Sequence, residues 1–206
     1  MLKKMLSGVC AGVLISIGGS VWLNCKDDNK FLAAILFTVA LLCICLKGYS
    51  LFTGKVGFIP EKHGKEEFSV LFLGLLGNFL GTLLCGLVLR FSMADMAAVA
   101  ETVCVGKLDR PLLSTFVRAV FCGILMYLAV SIFRDKKEIV AILFGIPVFI
   151  LSGFEHSIAD MFYLAVGGQF NVQALIFTVV VLLGNSVGGM LLPTLSGAWG
   201  TGERAK

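Results

Sequence analysis

Apolar residues run along this chain in long unbroken stretches rather than at alternate or helix-spaced positions. LSGVCAGVLISIGGSVWL, FSVLFLGLLGNFLGTLLCGLVL and ALIFTVVVLLGNSVGGMLLP each hold 18 or more residues without a charge, enough to cross a ~30 Å hydrocarbon layer as helix. The same pattern predicts six spans, at about 5–23, 31–57, 68–90, 111–133, 138–166 and 172–194. They fill one transmembrane domain over residues 1–206 and leave no room for a second. The first run follows two lysines but continues to about Leu23 with no small-residue cleavage signature, so it reads as a span and not as a secretory leader. The stretch from Phe91 to Arg110 is the longest connection and is expected to hold a short helix lying at the outer surface.

Two of these spans are anomalous. Span two (CICLKGYSLFTGKVGF) and span five (PVFILSGFEHSIADMFY) are too long, and glycine or polar residues interrupt each near its middle. A break at membrane depth leaves backbone amides and carbonyls unpaired, which is tolerated only where protein buries them or a cavity wets them. Spans three and six share the pattern G-N-x-x-G, at Gly77 to Gly81 and Gly184 to Gly188, 107 residues apart. The breaks at Gly48 and Gly153 are 105 apart. Two copies of one three-span unit are therefore expected, about 1–90 and about 107–197, the second inverted in the bilayer. Paired broken helices in inverted repeats place substrate sites near the midplane. Small-residue packing between helices is the competing reading of G-N-x-x-G, and the two are compatible.

Composition and charge agree with the membrane class. Hydrophobic residues make up 58% of the 206 positions and charged ones 15%, a balance that leaves too little polar surface for a soluble domain. The net charge of +4 comes from cations at segment ends and not along one stripe, so nucleic-acid binding is not expected. An N-terminus in the cytoplasm puts Lys3, Lys4, Lys62, Lys65, Arg134, Lys136, Lys137, Arg204 and Lys206 inside, leaving Lys26, Lys30, Lys107 and Arg110 outside. That bias predicts a multi-pass protein of the plasma (inner) membrane with both termini cytoplasmic. Most of the seven cysteines lie in apolar runs, and with two histidines in the whole chain neither a disulfide framework nor a metal site is expected, nor any cofactor.

The chemistry concentrates in span five, where Glu155 and His156 interrupt apolar sequence and Asp160 lies one turn beyond His156 on the same face. Ionisable groups in a span mark ion or proton routes. A satisfied ion pair, Glu155 with Lys107 or Lys47, is the plain alternative. Histidine, whose ordinary pKa is about 6.5, can both attract an anion and lend it a proton. Phe37, Leu41, Leu51, Phe52 and Phe149 are candidates for apolar constrictions, with ordinary core packing as the alternative for each.

The segments Leu51 to Gly54 (LFTG) and Gly153 to Phe162 (GFEHSIADMF), with both G-N-x-x-G elements, resemble the formate/nitrite transporter family over nearly the whole chain. The resemblance implies a homopentamer with one pore per protomer, in an aquaporin-like six-helix arrangement with helices two and five interrupted. It implies a central pore pair of Thr53 and His156 with Asn185 as a hydrogen-bonding neighbour. Constrictions fall at Leu51, Phe52, Phe149, Phe37 and Leu41, and Lys107, opening the fourth helix, draws anions to the outer vestibule beside Glu155. The chain departs from the family pattern in four places. Gly48-Tyr49-Ser50 stands for the usual G-A-D, preceded by an unusual Lys47; Asp160 stands where asparagine is common; and Cys122-Gly123 replaces a Cys-Asn pair. The sequence also reads as short, without most of the usual N-terminal surface helix and C-terminal tail.

The expected function is a channel or proton-coupled permease for small monovalent anions of weak acids, formate and nitrite first, then hydrosulfide, acetate or lactate, with the anion protonated at His156 while Thr53 and Asn185 orient it. Its partners are the anion, a proton, the lipid bilayer and further copies of itself. A channel for a neutral solute such as ammonia or water is the alternative. A membrane-embedded enzyme built on Glu155, His156 and Asp160 is disfavoured, because no nucleophile, metal set or cofactor motif accompanies them. A purely structural scaffold is a further alternative.

Overall fold

The computed structural model describes residues 1–197, so Arg204 and Lys206 of the expected inner-side cations lie outside the described residues. Among the described residues the protein is helical throughout: α1 (Leu2–Lys47), α2 (Phe52–Lys55) running into a 3-10 turn (Val56–Phe58), α3 (Lys65–Ser92), α4 (Ala94–Leu108), α5 (Leu112–Lys136), α6 (Val140–Leu151), α7 (Ser157–Val166) and α8 (Val172–Leu195). Four of these, α1, α3, α5 and α8, are long and apolar enough to cross a membrane, with α6 and α7 shorter and apolar.

The first two expected spans are the two arms of α1, helices that meet at the non-helical Asn29. A straight helix of 46 residues would run roughly 70 Å, more than twice the hydrocarbon thickness, and α1 instead folds back at Asn29 (φ −151°, ψ 90°). The Asn29 side chain accepts a hydrogen bond from Leu32 N at 3.0 Å and so caps the second arm. The arms lie against each other: a Cβ on Gly18 would stand 3.0 Å from the Ala40 Cβ and 3.2 Å from the Phe37 ring.

The helix ends at Gly48 and Gly153 are built alike. α1 ends on Gly48, whose φ of 69° lies in the left-handed region that side chains avoid, and Tyr49 N reaches back to Ile44 O at 3.0 Å. α6 ends with Gly153 at φ 67°, and Phe154 N reaches back to Phe149 O at 3.0 Å. Each stop satisfies carbonyls that the helix end would otherwise leave bare in a dry environment. After a few extended residues the chain resumes as α2 and α7.

The glycines of G-N-x-x-G bring backbones together. A Cβ on Gly81 would sit 2.5 Å from Val9 O in α1, and one on Gly184 would sit 2.5 Å from the Ala119 Cβ in α5. α3 therefore lies on the first arm of α1 as α8 lies on α5, so the packing reading of the motif holds.

α4 corrects the expectation for the long connection. It is helical, but it does not rest free at the surface: Met96, Ala100, Cys104 and Leu108, spaced four apart, are buried. Cys104 Sγ donates to Tyr163 O at 3.3 Å, docking α4 against α7. Its last turn carries Lys107, which thus closes α4 instead of opening the next span; α5 starts only after Pro111. Arg90, at the end of α3, donates to Val166 O at 2.9 Å and caps the C-terminus of α7, all ten residues of which are buried.

Gly81→Leu should force α1 and α3 apart at a cost of about 1–3 kcal/mol or more. It is expected to lower the melting temperature in detergent, read by size-exclusion chromatography after heating. Gly106→Ala, where an added Cβ meets nothing within 4 Å, should leave that temperature unchanged or raise it.

Candidate functional site

The two breaks meet at the centre of the protein. Thr53 lies in the first turn of α2 and His156 is the N-cap of α7. Thr53 Oγ1 and His156 Nε2 are 2.8 Å apart, and the two residues are 1% and 2% exposed. His156 Nδ1 accepts a hydrogen bond from Ala159 N at 3.2 Å. A nitrogen that accepts an amide proton carries none of its own, so the proton of the neutral ring sits on Nε2 and is donated to the threonine oxygen. The ring faces Phe149, with centroids 5.7 Å apart and planes 21° from parallel.

Each break is braced by an asparagine from G-N-x-x-G. Asn78 accepts from Phe52 N at 2.9 Å and donates to Gly8 O (2.9 Å) and Ser50 O (2.8 Å). Asn185 accepts from Ser157 N at 2.8 Å and donates to Ala119 O and Glu155 O, both at 2.8 Å. One buried amide thus ties the extended residues of the break, the start of the resumed helix and a neighbouring long helix. Both N–H groups of Asn185 are spent on carbonyls.

Two cavities flank the Thr53–His156 pair. One, of about 60 Å³, is lined by Trp22, Phe37, Phe149, His156, Asp160 and Tyr163, with Lys107 at its wall. Phe37 and Phe149 meet edge to face there, with centroids 6.3 Å apart. The other, of about 230 Å³, is lined by Leu41, Leu51, Phe58, Lys55, Arg134 and Lys137 among others. Four of the five constriction candidates therefore line cavities; Phe52 is buried and lines neither.

The charges beside the smaller cavity are paired. Glu155, 1% exposed, receives Lys107 on Oε2 and Arg110 on Oε1, and Lys107 also reaches Asp160 Oδ1 at 2.9 Å. Burial pushes the Lys107 ammonium toward its neutral form, but Asp160 and Glu155 together outweigh burial and hold it above lysine's ordinary pKa. The ion-pair reading of Glu155 thus applies with Lys107. Lys47 takes no part: it sits exposed in the last turn of α1, beside residues that line the larger cavity.

Comparison with known proteins decides the family. A family model described as formate/nitrite transporter matches residues 1–199. The chain belongs to that family. Among curated formate/nitrite transporters and their kin, formate-nitrite transporter 2 of Toxoplasma gondii is 30% identical over 190 residues, covering 81% of this chain and 41% of the relative. A probable formate transporter of Methanothermobacter thermautotrophicus is 29% identical, covering 79% of this chain and 72% of the relative. The formate channel FocA of Escherichia coli K12 is 29% identical, covering 81% and 66%. The chain thus spans less than half the length of the Toxoplasma relative. In fold it resembles an FNT family ion channel (TM-score 0.85, 23% identity, 97% of this chain and 90% of the other). It also resembles a pentameric formate channel with formate bound (TM-score 0.76, 22% identity, 95% of each).

In this member of the family the fold joins Thr53 to His156 across 103 residues of sequence, and Lys107 to Glu155 across 48. Arg110, Trp22 and Tyr163 escaped the sequence reading, as did Lys55 and Arg134 on the other side. Arg110 lies just past the end of α4 in the turn before α5, and Trp22 sits inside an apolar run, so neither carried a signal of its own.

Asn185→Leu would leave Ala119 O, Glu155 O and Ser157 N without their partner, at about 1–3 kcal/mol for each buried group. The variant should show a clear fall in melting temperature, or fail to accumulate, whether or not any solute is present.

Proposed function

We propose that this protein is a homopentameric channel or proton-coupled permease for small monovalent anions of weak acids, with formate and nitrite as first substrates. The observation that carries this reading is the buried Thr53–His156 hydrogen bond at the meeting point of two helix breaks, between two cavities. A membrane protein has little reason to bury such a pair in its dry centre except to touch a solute in transit.

The architecture that suits it is six spans in two inverted copies, about 1–90 and about 107–197. The matched support for this comes from the two asparagine braces and the two left-handed glycine stops. The protomers would share the apolar outer faces of α3, α5 and α8, where Phe72, Leu84, Leu113 and Leu175 are exposed in the single chain, and lipid would cover the rest. With both termini cytoplasmic in the plasma (inner) membrane, the Lys107 side faces out.

An anion enters past Lys107 and Arg110, passes the Phe37–Phe149 slit, and meets Nε2–H of His156 and the hydroxyl of Thr53. The apolar walls strip its water, a cost of many kcal/mol for a bare charge and far less for the neutral acid. Taking a proton at the level of His156 lets the solute continue past Leu51 and Leu41 and ionise again in the wider cavity. The histidine ring is neutral in this geometry, and protonating it at Nδ1 would displace the Ala159 amide. Its resting contribution is therefore a fixed donor on Nε2. The solute gains or loses only a proton, so no enzymatic step is involved.

The test is uptake of formate, nitrite, hydrosulfide and acetate into proteoliposomes between pH 5 and 8. Uptake should rise with acid outside, and His156→Phe should abolish the acid-dependent part while the oligomer stays assembled. Unchanged uptake in that variant would remove His156 from the mechanism. For a neutral solute such as ammonia, Lys107→Met should be harmless; for an anion it should reduce uptake by about tenfold, in keeping with charge focusing at a channel mouth.

A further inference from the structure

We infer that Asp160 is a proton-binding site of this transporter, holding the proton that an anion picks up in the cavity beside His156. The inference rests on the anion pathway proposed above and deepens it by naming the group that carries the co-transported proton.

The four charges around the smaller cavity are not equally satisfied. Glu155 has a cation on each oxygen, Lys107 on one and Arg110 on the other. Asp160 shares Lys107 through Oδ1 at 2.9 Å, while its Oδ2 is buried and meets no hydrogen-bond donor. The residue is 1% exposed and lines the cavity that His156 also lines. An ionised carboxylate with one bare oxygen in a dry site is costly. A proton on Oδ2 removes that charge, keeps Oδ1 as the acceptor for Lys107, and turns the bare oxygen into a donor.

The other groups around Asp160 do not compete for this role. From α4 it meets Lys107, with Cys104 and Glu101 of the same helix and Cys122 of α5 within electrostatic reach of the cluster. Along the break and its own helix lie Glu155, His156 and Tyr163. α1 contributes Trp22 and Phe37 to the cavity, and α2 contributes Thr53 through His156. α3 sends Arg90 to the Val166 carbonyl at the far end of α7. Among these described residues Glu155 is saturated by two cations and Lys107 is held charged, and neutral His156 has only the Nε2 proton, whose loss would leave an imidazolate. Asp160 is the group that can give up a proton and be left with a stabilised conjugate base.

The step is an acid–base exchange. The O–H bond of the Asp160 carboxyl breaks, an O–H bond forms on the entering carboxylate or nitrite, and the Asp160 carboxylate that remains is held by Lys107. Water on the Lys107 side then returns a proton. Loaded, the quartet of Lys107, Arg110, Glu155 and Asp160 carries one net positive charge and favours an anion in the cavity. Unloaded, it is neutral. An asparagine at this position could not make that change.

The test compares the full-length wild type with Asp160→Asn, which keeps an oxygen for Lys107 but cannot take the proton. In proteoliposomes, formate uptake by the wild type should acidify the lumen, read with a trapped pH dye, and should respond weakly to a potassium-diffusion potential. Asp160→Asn should lose most of that acidification per formate, and its uptake should follow the imposed potential. Infrared difference spectra across pH 5 to 8 should show a protonated-carboxyl band in the wild type that Asp160→Asn lacks. Equal proton coupling in the two proteins overturns the inference, as does a wild type that moves formate with no proton, although the anion pathway then stands. A wild type that moves no anion sinks the pathway instead, and the infrared band still decides whether Asp160 takes a proton.

Discussion

The structure depends on how two interrupted helices satisfy their backbone at membrane depth. Stopping α1 at Lys47 and α6 at Leu151 exposes amides and carbonyls where no lipid can pair them. A left-handed glycine closes each stop, and Asn78 and Asn185 each supply one acceptor and two donors to the gap. The asparagines are available only because the glycines around them let α3 and α8 approach α1 and α5 at backbone distance. Packing and polar satisfaction are thus two uses of one five-residue motif.

That bracing also sets where the chemistry sits. Because the extended residues are held from behind, the helices that resume after them begin near the same point, and Thr53 and His156 project from those beginnings toward each other. The amide of Ala159 occupies Nδ1 and thereby fixes the ring's remaining proton on Nε2. A side chain in this position donates rather than titrates in its resting state, which directs attention to other acids in the same cavity.

The two sides of the centre differ in charge. Beside the smaller cavity, cations and carboxylates are matched within one buried cluster. The larger cavity is lined by Lys55, Arg134 and Lys137. Arg134 is partnered by Glu61 at 3.2 Å and lies over the Phe58 ring at 4.0 Å. The smaller cavity is thus a site of matched charge and the larger one is more basic.

By itself the sequence determined that this is an all-helical protein with several apolar helices of membrane-spanning character, and that the family is that of the formate/nitrite transporters. These follow from signals local in the chain: unbroken apolar length, glycine and polar residues inside an apolar run, and motifs such as GFEHSIADMF. Tertiary structure decided the rest. How closely the two arms that meet at Asn29 lie against each other depends on contacts between them. That α4 docks on α7 and ends at Lys107, that Arg110 joins Lys107 on Glu155, and that Asp160 keeps one bare oxygen all depend on residues tens of positions apart. Periodicity and motif spacing report which face of a helix is apolar; they do not report which partner a buried charge finds, because that is set by how the helices cross.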